Sequence, residues 1–312
     1  MKKMIVPAIV ALAVSTSGAM AADLGAKMVT KAPPPAPSPW DIGFGGYVMN
    51  DYNFRGISQS NHGATGGAYF EPRYNVSKDL QFYVGIAGTG VDLPTKPSAE
   101  IDFYGGFRPT FGPLALDIGA IYYYYPRETQ FDGVNNIYAN GTTTLANTDF
   151  WEVYGKATYT FNDAFSVGGN IYYSPSWLNT GADGTYLSGT FKWVTPWTAN
   201  GVGAYVSGEV GHYWLGTPNA DGILFTTSTA ADLPDYTTWN VGLAFTYKVF
   251  TLDLRYYDTT LSKEDCWTLT SDPTAGFGGT PTVSNPTGLR SNWCDAAFVA
   301  KLSFDMTLDS LK

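Results

Sequence analysis

Two histidines, His62 and His212, are the only side chains of this chain whose ordinary pKa lies near neutral pH. Hydrolysis by a serine nucleophile needs such a base within hydrogen-bond reach. His62 lies beside Ser58, Ser60 and Asn61, which could form a Ser-His-Asn arrangement, although small polar residues also fill ordinary loops. His212 falls on the apolar phase of an alternating stretch, so we expect it at the outer surface. We therefore expect no catalytic residue and no enzymatic activity.

Two cysteines, Cys266 and Cys294, enclose a stretch rich in Gly, Pro, Ser and Thr that lacks a strand pattern. An even number of cysteines in an oxidising compartment usually indicates a disulfide. Such a bond would close the base of a long loop and contribute about 3 kcal/mol by a chain-entropy argument. A metal site is the weaker alternative, because no histidine lies nearby. No phosphate loop, dinucleotide fingerprint or cofactor motif is recognisable, so we expect neither a cofactor nor a metal.

The charged side chains form the largest set of candidates, because many of them recur at alternate positions of ten-residue stretches. Successive side chains of a strand point to opposite faces, so these charges share one polar face. Acidic and basic members are equal in number once Asp305 is included. The predicted pore-lining residues are Asp51, Arg55, Glu71, Arg73, Asp102, Arg108, Asp117, Glu152, Lys156, Lys192, Glu209, Lys248, Asp253, Arg255 and Lys301.

The stretches that carry these charges are typical of barrel strands. In one of them Trp239, Val241 and Leu243 share the apolar face, whereas Asn240 and Gly242 share the polar face. Short turns alternate with long loops between the stretches, which indicates an up-and-down order. Twelve strands are predicted, and ten or fourteen are the alternatives because the first and last strands are the least regular. The predicted bounds are 41–57, 64–75, 80–92, 99–110, 113–125, 149–161, 164–175, 184–194, 201–214, 236–248, 250–260 and 294–308.

The composition favours a membrane barrel over a soluble β-protein. Charged residues make up 14% of the chain and aromatic residues 16%, whereas soluble domains are about a quarter charged. In a membrane barrel the apolar face contacts lipid and the polar face contacts the lumen. The predicted fold class is therefore all-β, an antiparallel up-and-down transmembrane β-barrel of twelve strands with both termini periplasmic.

The segment before the barrel is predicted to direct export. Lys2 and Lys3 precede an apolar stretch over residues 4–14, and small residues follow at 19–21, which together indicate a signal peptide over 1–21. Residues 22–39 are a Pro-rich periplasmic tether, and residues 40–312 form the outer-membrane barrel. The formal net charge of −9 argues against a nucleic-acid partner.

Five stretches carry a resemblance to a known family: DYNFRGISQS (51–60), DIGAIYYYYP (117–126), DFWEVY (149–154), YYSP (172–175) and DYTTWNVG (235–242). They resemble the TorF-type porins of Gram-negative outer membranes, and the first stretch is the most specific. The resemblance implies an outer-membrane β-barrel of a Gram-negative bacterium that acts as a diffusion channel. The expected partners are outer-membrane lipid and lipopolysaccharide, the barrel assembly machinery, and small polar solutes or ions.

A lumen with balanced charges permits two functions. Opposite charges across a water-filled pore sieve small polar solutes with weak ion preference, which predicts a porin for passive diffusion. Alternatively the charges pair and fill the interior, leaving a closed structural or surface-interaction barrel for adhesion, phage or envelope contact. The inner glycines favour an open lumen; they are Gly106, Gly119, Gly168, Gly211 and Gly242. The sequence does not distinguish a monomer from a trimer.

Overall fold

The computed structural model describes residues 39–129, 147–219, 232–272, 274–275 and 288–311. The predicted signal peptide and nearly all of the tether lie outside the described residues. The described residues form fourteen strands, which are β1 Trp40–Met49, β2 Asn53–Phe54, β3 Ile57–Ser58, β4 Thr65–Ser77, β5 Leu80–Thr89, β6 Glu100–Phe111, β7 Leu114–Tyr124, β8 Phe150–Asn162, β9 Phe165–Ser174, β10 Gly184–Ala199, β11 Val202–Leu215, β12 Tyr236–Tyr247, β13 Phe250–Thr259 and β14 Ala297–Thr307.

All strands except β2 and β3 join in one closed antiparallel barrel. Each barrel strand pairs with its neighbours in the chain, and β1 pairs with β14 to complete the circle. The prediction of a twelve-stranded up-and-down barrel is therefore confirmed. The described helices are α1 over Lys263–Thr270 and single 3-10 turns over Trp177–Asn179 and Asp309–Leu311, and none of these could cross a bilayer.

The two ends of the barrel differ in the length of their connections. At one end, the turn end, neighbouring strands are joined by two residues, as at 112–113 and 163–164. At the other, the loop end, the connections are longer, as between β1 and β4 and between β13 and β14. β1 begins and β14 ends at the turn end. The predicted alternation of short turns and long loops is thus confirmed.

The outer face of the barrel is apolar. On β5 the exposed side chains are Phe82, Val84 and Ile86, whereas Tyr83 between them is buried. Elsewhere the same alternation places charged and polar residues on the inner face, among them Asp117 and Glu152, which have no exposed surface. Because the apolar residues face outward, the fold is inverted relative to a soluble barrel.

The inner glycines do not leave the lumen open, contrary to the prediction from their number. At Gly119 an added Cβ would lie 2.7 Å from the hydroxyl of Tyr154, and at Gly211 it would overlap the ring of Tyr186. These glycines therefore make room for tyrosine rings that lie across the wall. The rings form the core of the loop half of the barrel, with Tyr123, Tyr154, Tyr172, Tyr186, Tyr213 and Tyr236 all buried.

The first strand is shorter than predicted. The sequence predicts it over 41–57, but β1 ends at Met49, and residues 51–60 turn into the barrel as a hairpin formed by β2 and β3. At the turn end, β12 stops at Tyr247. Lys248 lies in the next turn with φ 54° and is exposed, so its prediction as a pore-lining residue is wrong.

Candidate functional site: a hairpin across the barrel lumen

The lumen hairpin, residues 51–60, is closed by a tight two-residue turn. Phe54 pairs with Ile57, and the two residues between them, Arg55 and Gly56, have φ values of 49° and 87°. Positive φ at both positions defines the turn type whose twist suits a hairpin, and glycine adopts it without strain. The side chain of Asn53 accepts a hydrogen bond from the Gly56 N–H at 3.0 Å, which completes the turn.

The hairpin crosses the lumen to the wall opposite its own strand. β1 is flanked by β4 and β14, yet Arg55 contacts Glu152 on β8. The ring of Phe54 lies 6.0 Å from that of Tyr123 on β7. The tip also contacts β12, because Gly56 lies so close to Thr238 that a Cβ added at Gly56 would be 2.6 Å from the hydroxyl oxygen of Thr238. The tip is therefore held between several strands and obstructs the centre of the barrel.

Arg55 anchors the tip through a bidentate ion pair. Its Nη1 and Nη2 donate to Oε1 and Oε2 of Glu152 at 2.7 and 2.8 Å. The hydroxyl of Tyr123 donates to the same carboxylate at 3.0 Å. Four rings lie within 4.5–4.9 Å of the guanidinium carbon, those of Phe54, Tyr172, Tyr186 and Tyr213. A buried charge pair is stable only with such complete partnering, so the site is specific for arginine.

The root of the hairpin is anchored by Asp51. Its Oδ1 accepts hydrogen bonds from the hydroxyls of Ser58 at 2.6 Å and Ser60 at 3.1 Å. Its Oδ2 lies 2.9 Å from Nδ1 of His62, and Nε2 of the same ring lies 2.9 Å from the carbonyl oxygen of Asn292. Both ring nitrogens face acceptors, and only the charged imidazolium can donate to both.

This arrangement does not form the Ser-His-Asn grouping considered from the sequence. The hydroxyl of Ser58 donates to Asp51, and its oxygen accepts from the backbone N–H of His62 rather than contacting the ring. The described contacts therefore give the imidazole no nucleophile to activate. His212 lies on the outward phase, as predicted, where its Nδ1 lies 2.8 Å from the hydroxyl of Thr237.

The ring of His62 is expected to titrate above its ordinary pKa of 6.5. Burial lowers this pKa, but the bonds to the Asn292 carbonyl and the Asp51 carboxylate outweigh burial and raise it. The pair therefore stabilises the hairpin root fully below about pH 6.5, and this contribution is lost as pH rises through the folded pKa. Asp51→Asn should lower the pKa of His62, as measured by NMR titration of the variant beside the wild type. An unchanged His62 titration curve in that variant would contradict this assignment.

One side of the hairpin packs against carboxylates of β6. Tyr52 and Tyr125 donate to the two oxygens of Glu100 at 2.6 and 2.8 Å. Asp102 follows two residues later on the same face, and its buried Oδ1 has no hydrogen-bond partner among the described residues. The sequence prediction included Asp102 but missed Glu100, the first residue of its strand.

The wall formed by β4 to β8 is neutralised by its own charge pairs. Glu71 accepts from Arg73 at 2.6 Å and from Arg108 at 2.8 and 3.1 Å. Arg108 also reaches Asp117 at 3.3 Å, and Lys156 stands directly opposite Asp117 in the strand register. All five were predicted to line the lumen; four of them pair along the wall, and the ammonium of Lys156 lies 4.4 Å from the centre of the Tyr154 ring.

A cavity of about 240 Å³, the inner cavity, lies between the hairpin and the wall formed by strands β9 to β14. Several predicted residues line the cavity together with the hairpin residues Asp51 and Arg55; on the wall they are Lys192, Glu209, Asp253, Arg255 and Lys301. The cavity thus contains both signs of charge beside hydroxyl and amide side chains.

Arg255 is fully partnered on the cavity wall. It donates to both oxygens of Asp253, at 3.1 and 2.9 Å, to Oδ1 of Asn240 at 2.6 Å and to Oγ of Ser207 at 2.7 Å. A Cβ at Gly242 would lie 2.9 Å from the guanidinium carbon, so this glycine allows Arg255 to lie flat against the sheet. Arg255 therefore shapes the cavity and carries little uncompensated charge.

A second cavity, of about 90 Å³, lies on the loop side of the hairpin. Its lining includes Phe54, Trp177, Tyr213 and Trp293, and none of the described residues that line it is charged. Helix α1 covers it, fastened by the disulfide between Cys266 and Cys294, which confirms the predicted bond and excludes the metal alternative there. The hairpin thus separates an aromatic cavity from a charged one.

The other corrections concern the balance of charge. Asp41 and Glu100 are buried on the inner face in addition to the predicted acidic residues, and Lys248 leaves the basic set. Asp305, also buried, accepts from the hydroxyl of Tyr69 at 3.1 Å. The described interior is therefore net acidic rather than balanced. Neither Asp41 nor Glu100 could be assigned from alternation alone, because both lie within two residues of a strand end.

Comparison with known proteins identifies a family but no function. A family model described as "Bacterial protein of unknown function (Gcw_chp)" matches residues 34–277. A comparison with curated protein sequences finds no match.

Similar solved structures are distant. The COG4313 outer membrane channel from Pseudomonas putida F1 shares 11% identity at a TM-score of 0.43, over 88% of this chain and 97% of that chain. The NanC porin shares 8% identity at a TM-score of 0.40, over 85% of this chain and 98% of that chain. OmpT, an outer membrane protein of Vibrio cholerae, shares 13% identity at a TM-score of 0.34, over 86% of this chain and 96% of that chain. Similarity at this level carries no information about function.

Proposed function

The chain belongs to the Gcw_chp family of bacterial proteins of unknown function, and we propose that it is an outer-membrane channel for ions and small polar solutes. The observation that carries the proposal is the inner cavity, a charged space that remains inside a closed barrel beside the lumen hairpin. The hairpin is the constriction, and its displacement or local movement sets the conductance.

The apolar outer face supports the membrane location. Exposed aromatic and aliphatic residues follow the outward phase of every barrel strand, and a bilayer buries such a surface where water would not. The predicted signal peptide exports the chain, the assembly machinery inserts it, and lipid and lipopolysaccharide surround it. In this orientation the loop end faces the exterior. The resemblance of residues 51–60 to TorF-type porins also supports a channel, and these residues are the hairpin itself.

The solute path has three parts. A solute enters past the aromatic cavity at the loop end, passes the tip at Arg55, and continues through the inner cavity toward the turn end. The net acidic interior and the narrow constriction favour small cations and uncharged or dipolar solutes over large anions. Diffusion requires no catalytic group, in agreement with the non-enzymatic reading of His62.

The test is single-channel recording of the refolded, disulfide-intact protein in a planar bilayer under a salt gradient. We expect small discrete current steps with a reversal potential that indicates weak cation preference. A cysteine at Thr190, which lines the inner cavity, should make the current sensitive to a charged thiol reagent. A cysteine at Val210, exposed on the outer face, is the matched control and should have no effect. Current insensitive to modification at Thr190 would contradict this path.

The second candidate is a closed surface-interaction barrel, and the loop end favours it. The disulfide and α1 build a compact cover there, and the carbonyl of Trp293 accepts from Ser58 of the hairpin at 2.8 Å. A silent bilayer with a folded barrel, together with altered adhesion or phage sensitivity in a deletion strain, would support this function over the channel.

A further inference from the structure

We infer that His62 is a proton-operated latch, which joins the root of the lumen hairpin to the cover of the loop end when its ring is protonated and releases the cover when the ring is neutral. The described part of the cover consists of α1 and residues 288–295, which the disulfide between Cys266 and Cys294 links together. The effect of the latch on conductance rests on the proposed channel function, whereas the latch itself does not.

Three hydrogen bonds join the hairpin root to the cover. The backbone N–H of Ser58 donates to the carbonyl of Trp293 at 2.8 Å, and Nε1 of Trp293 donates to the side-chain oxygen of Asn61 at 2.9 Å. The third bond links Nε2 of His62 to the carbonyl oxygen of Asn292 at 2.9 Å. Among these described bonds, only the third uses a group whose ordinary pKa lies near neutral pH.

The proton that leaves the ring is the one that faces the cover. Nδ1 of His62 lies 2.9 Å from Oδ2 of Asp51, so both ring nitrogens face acceptors. The imidazolium donates to both acceptors, whereas a neutral ring carries a single N–H. A carboxylate is a stronger acceptor than a peptide carbonyl, so the remaining proton stays on Nδ1. Nε2 then presents a lone pair to the carbonyl of Asn292, and the bond to the cover is lost.

The charged groups around the ring favour its protonated form. Asp51 faces it from the hairpin, and Asp295 faces it from the cover, where Lys263 binds this carboxylate at 2.7 and 2.8 Å. Asp92, on the connection between β5 and β6, bonds the side chain that precedes the ring in sequence and pairs with Lys96 at 2.7 Å. Both lysines are matched by these carboxylates, so the unmatched charge that faces the ring is that of Asp51.

The direction of the switch follows from the ring's hydrogen bonds. Burial lowers the pKa of His62, but the bonds to Asn292 and Asp51 outweigh burial and raise this pKa above 6.5. The latch is therefore fully closed below about pH 6.5 and opens as the pH rises through the folded pKa. A hydrogen bond to a charged group is strong enough for its loss to raise the population of the unlatched state at least about tenfold.

Release of the cover widens the aromatic cavity. Phe54 and Ile57 line this cavity from the hairpin, whereas Leu269 and Trp293 line it from the cover. The latch thus holds together two of the surfaces that enclose the cavity. The tip keeps its own ion pair with the barrel wall, which does not involve the latch. The latch therefore controls the entrance at the loop end rather than the constriction at the tip.

The test is hydrogen exchange of the Ser58 backbone N–H in the folded protein in detergent micelles, at about pH 5.5 and about pH 9. This N–H donates to Trp293, so its protection reports the contact between root and cover. His62→Gln keeps a neutral side chain at every pH, and comparison at one pH cancels the pH dependence of intrinsic exchange. We expect the wild type to protect Ser58 at least about tenfold more than His62→Gln at the lower pH, and equally at the higher pH.

Two further variants separate the proton from a structural effect. His212→Gln is the matched control, because His212 bonds Thr237 on the outer face, and it should keep wild-type protection at both pH values. Asn61→Gly removes the acceptor of the Trp293 indole and permits the backbone φ of 51° at this position. It should lower protection by the same factor at both pH values, because that bond carries no titrating group.

The outcomes distinguish the latch from the channel. Equal protection of wild type and His62→Gln at the lower pH, or a difference of the same size at both pH values, would overturn the inference. In a planar bilayer the wild-type conductance should rise between the two pH values, and that of His62→Gln should not. Protection that changes as expected in a barrel without current would refute the channel and leave the latch. Current without the change in protection would refute the latch and leave the channel.

Discussion

Replacing Arg55 by alanine is expected to increase the conductance of the barrel several-fold. The substitution removes both hydrogen bonds to Glu152 and the contacts with three rings of the wall, those of Tyr172, Tyr186 and Tyr213. It also leaves a fully buried carboxylate without its basic partner, and breaking a buried ion pair in this way costs about 3–5 kcal/mol. Most of this cost falls on the state with the hairpin docked, so the undocked state becomes populated. Single-channel recordings of variant and wild type in the same lipid measure the change.

Three further variants identify the cause. Arg55→Lys keeps the charge but loses the bidentate geometry, so its conductance should be intermediate. The double variant Arg55→Ala with Glu152→Ala removes the uncompensated charge, and its effect should be smaller than the sum of the single effects. Arg290→Ala breaks an exposed pair with Glu264 and should conduct like the wild type. Unchanged conductance in Arg55→Ala, with the fold intact, would show that the hairpin does not set the constriction.

A charge on the outer face is expected to destabilise the barrel in lipid far more than the same charge on the inner face. Val241 and Thr190 have side chains of nearly equal shape, and they lie near each other on the wall because Thr190, Glu209 and Asn240 are paired in register. Val241 is 41% exposed on the outer face, whereas Thr190 lines the inner cavity. Val241→Arg should lower the free energy of unfolding by about 2–4 kcal/mol in vesicles. Urea titration followed by tryptophan fluorescence measures it.

Thr190→Arg is the matched control for this prediction. Its guanidinium enters a cavity that is lined by carboxylates, hydroxyls and aromatic rings, so the loss should be below about 1.5 kcal/mol, within the range of a local packing change. The difference between the two variants should shrink in detergent micelles, where an outward arginine reaches water easily. Equal losses in lipid and in micelles would argue against a bilayer around this face.

The alternation of apolar and polar residues was sufficient to predict the barrel, because each strand has one face on the outside of the barrel and one face on the inside. Strands such as β8 and β12 lie within a residue of their predicted bounds at each end. The apolar phase containing Trp239, Val241 and Leu243 is exposed as predicted. The outer surface must stay apolar at every second position, which leaves a periodic signal that does not depend on the details of packing.

The lumen hairpin could not be recognised in the same way. Tyr52 and Phe54 continue the alternation of β1 and therefore resemble two more outward positions of the strand. In the structure both rings point into the interior, because Asn50 and Asp51 turn the chain inward after Met49. Nothing local distinguishes an aromatic residue that faces lipid from one that packs on other rings. The Arg55–Gly56 pair, with glycine at the second turn position, is the one local signal of a hairpin.

Alternation assigns most of the predicted lumen residues to the inner face, but it does not give their contacts. Alternation places Glu71, Arg108 and Asp117 on the inner face, but it does not determine which of them pair. Pairing depends on the register between strands and on where the tyrosine rings lie. The glycines show the same limit. The sequence predicts open space at Gly119, whereas in the structure the Tyr154 side chain of the neighbouring strand fills that space.

The position of the hairpin in the chain has a consequence for how the barrel is assembled. Arg55 and Glu152 are 97 residues apart in sequence, and contacts so distant form late in folding. β1, which carries the hairpin, also forms the seam with β14. The tip can dock only after β8 to β11 exist, and it must be inside when the seam closes or enter through the loop end afterwards. The order of these two events therefore selects between two products with the same strands, one filled and one hollow.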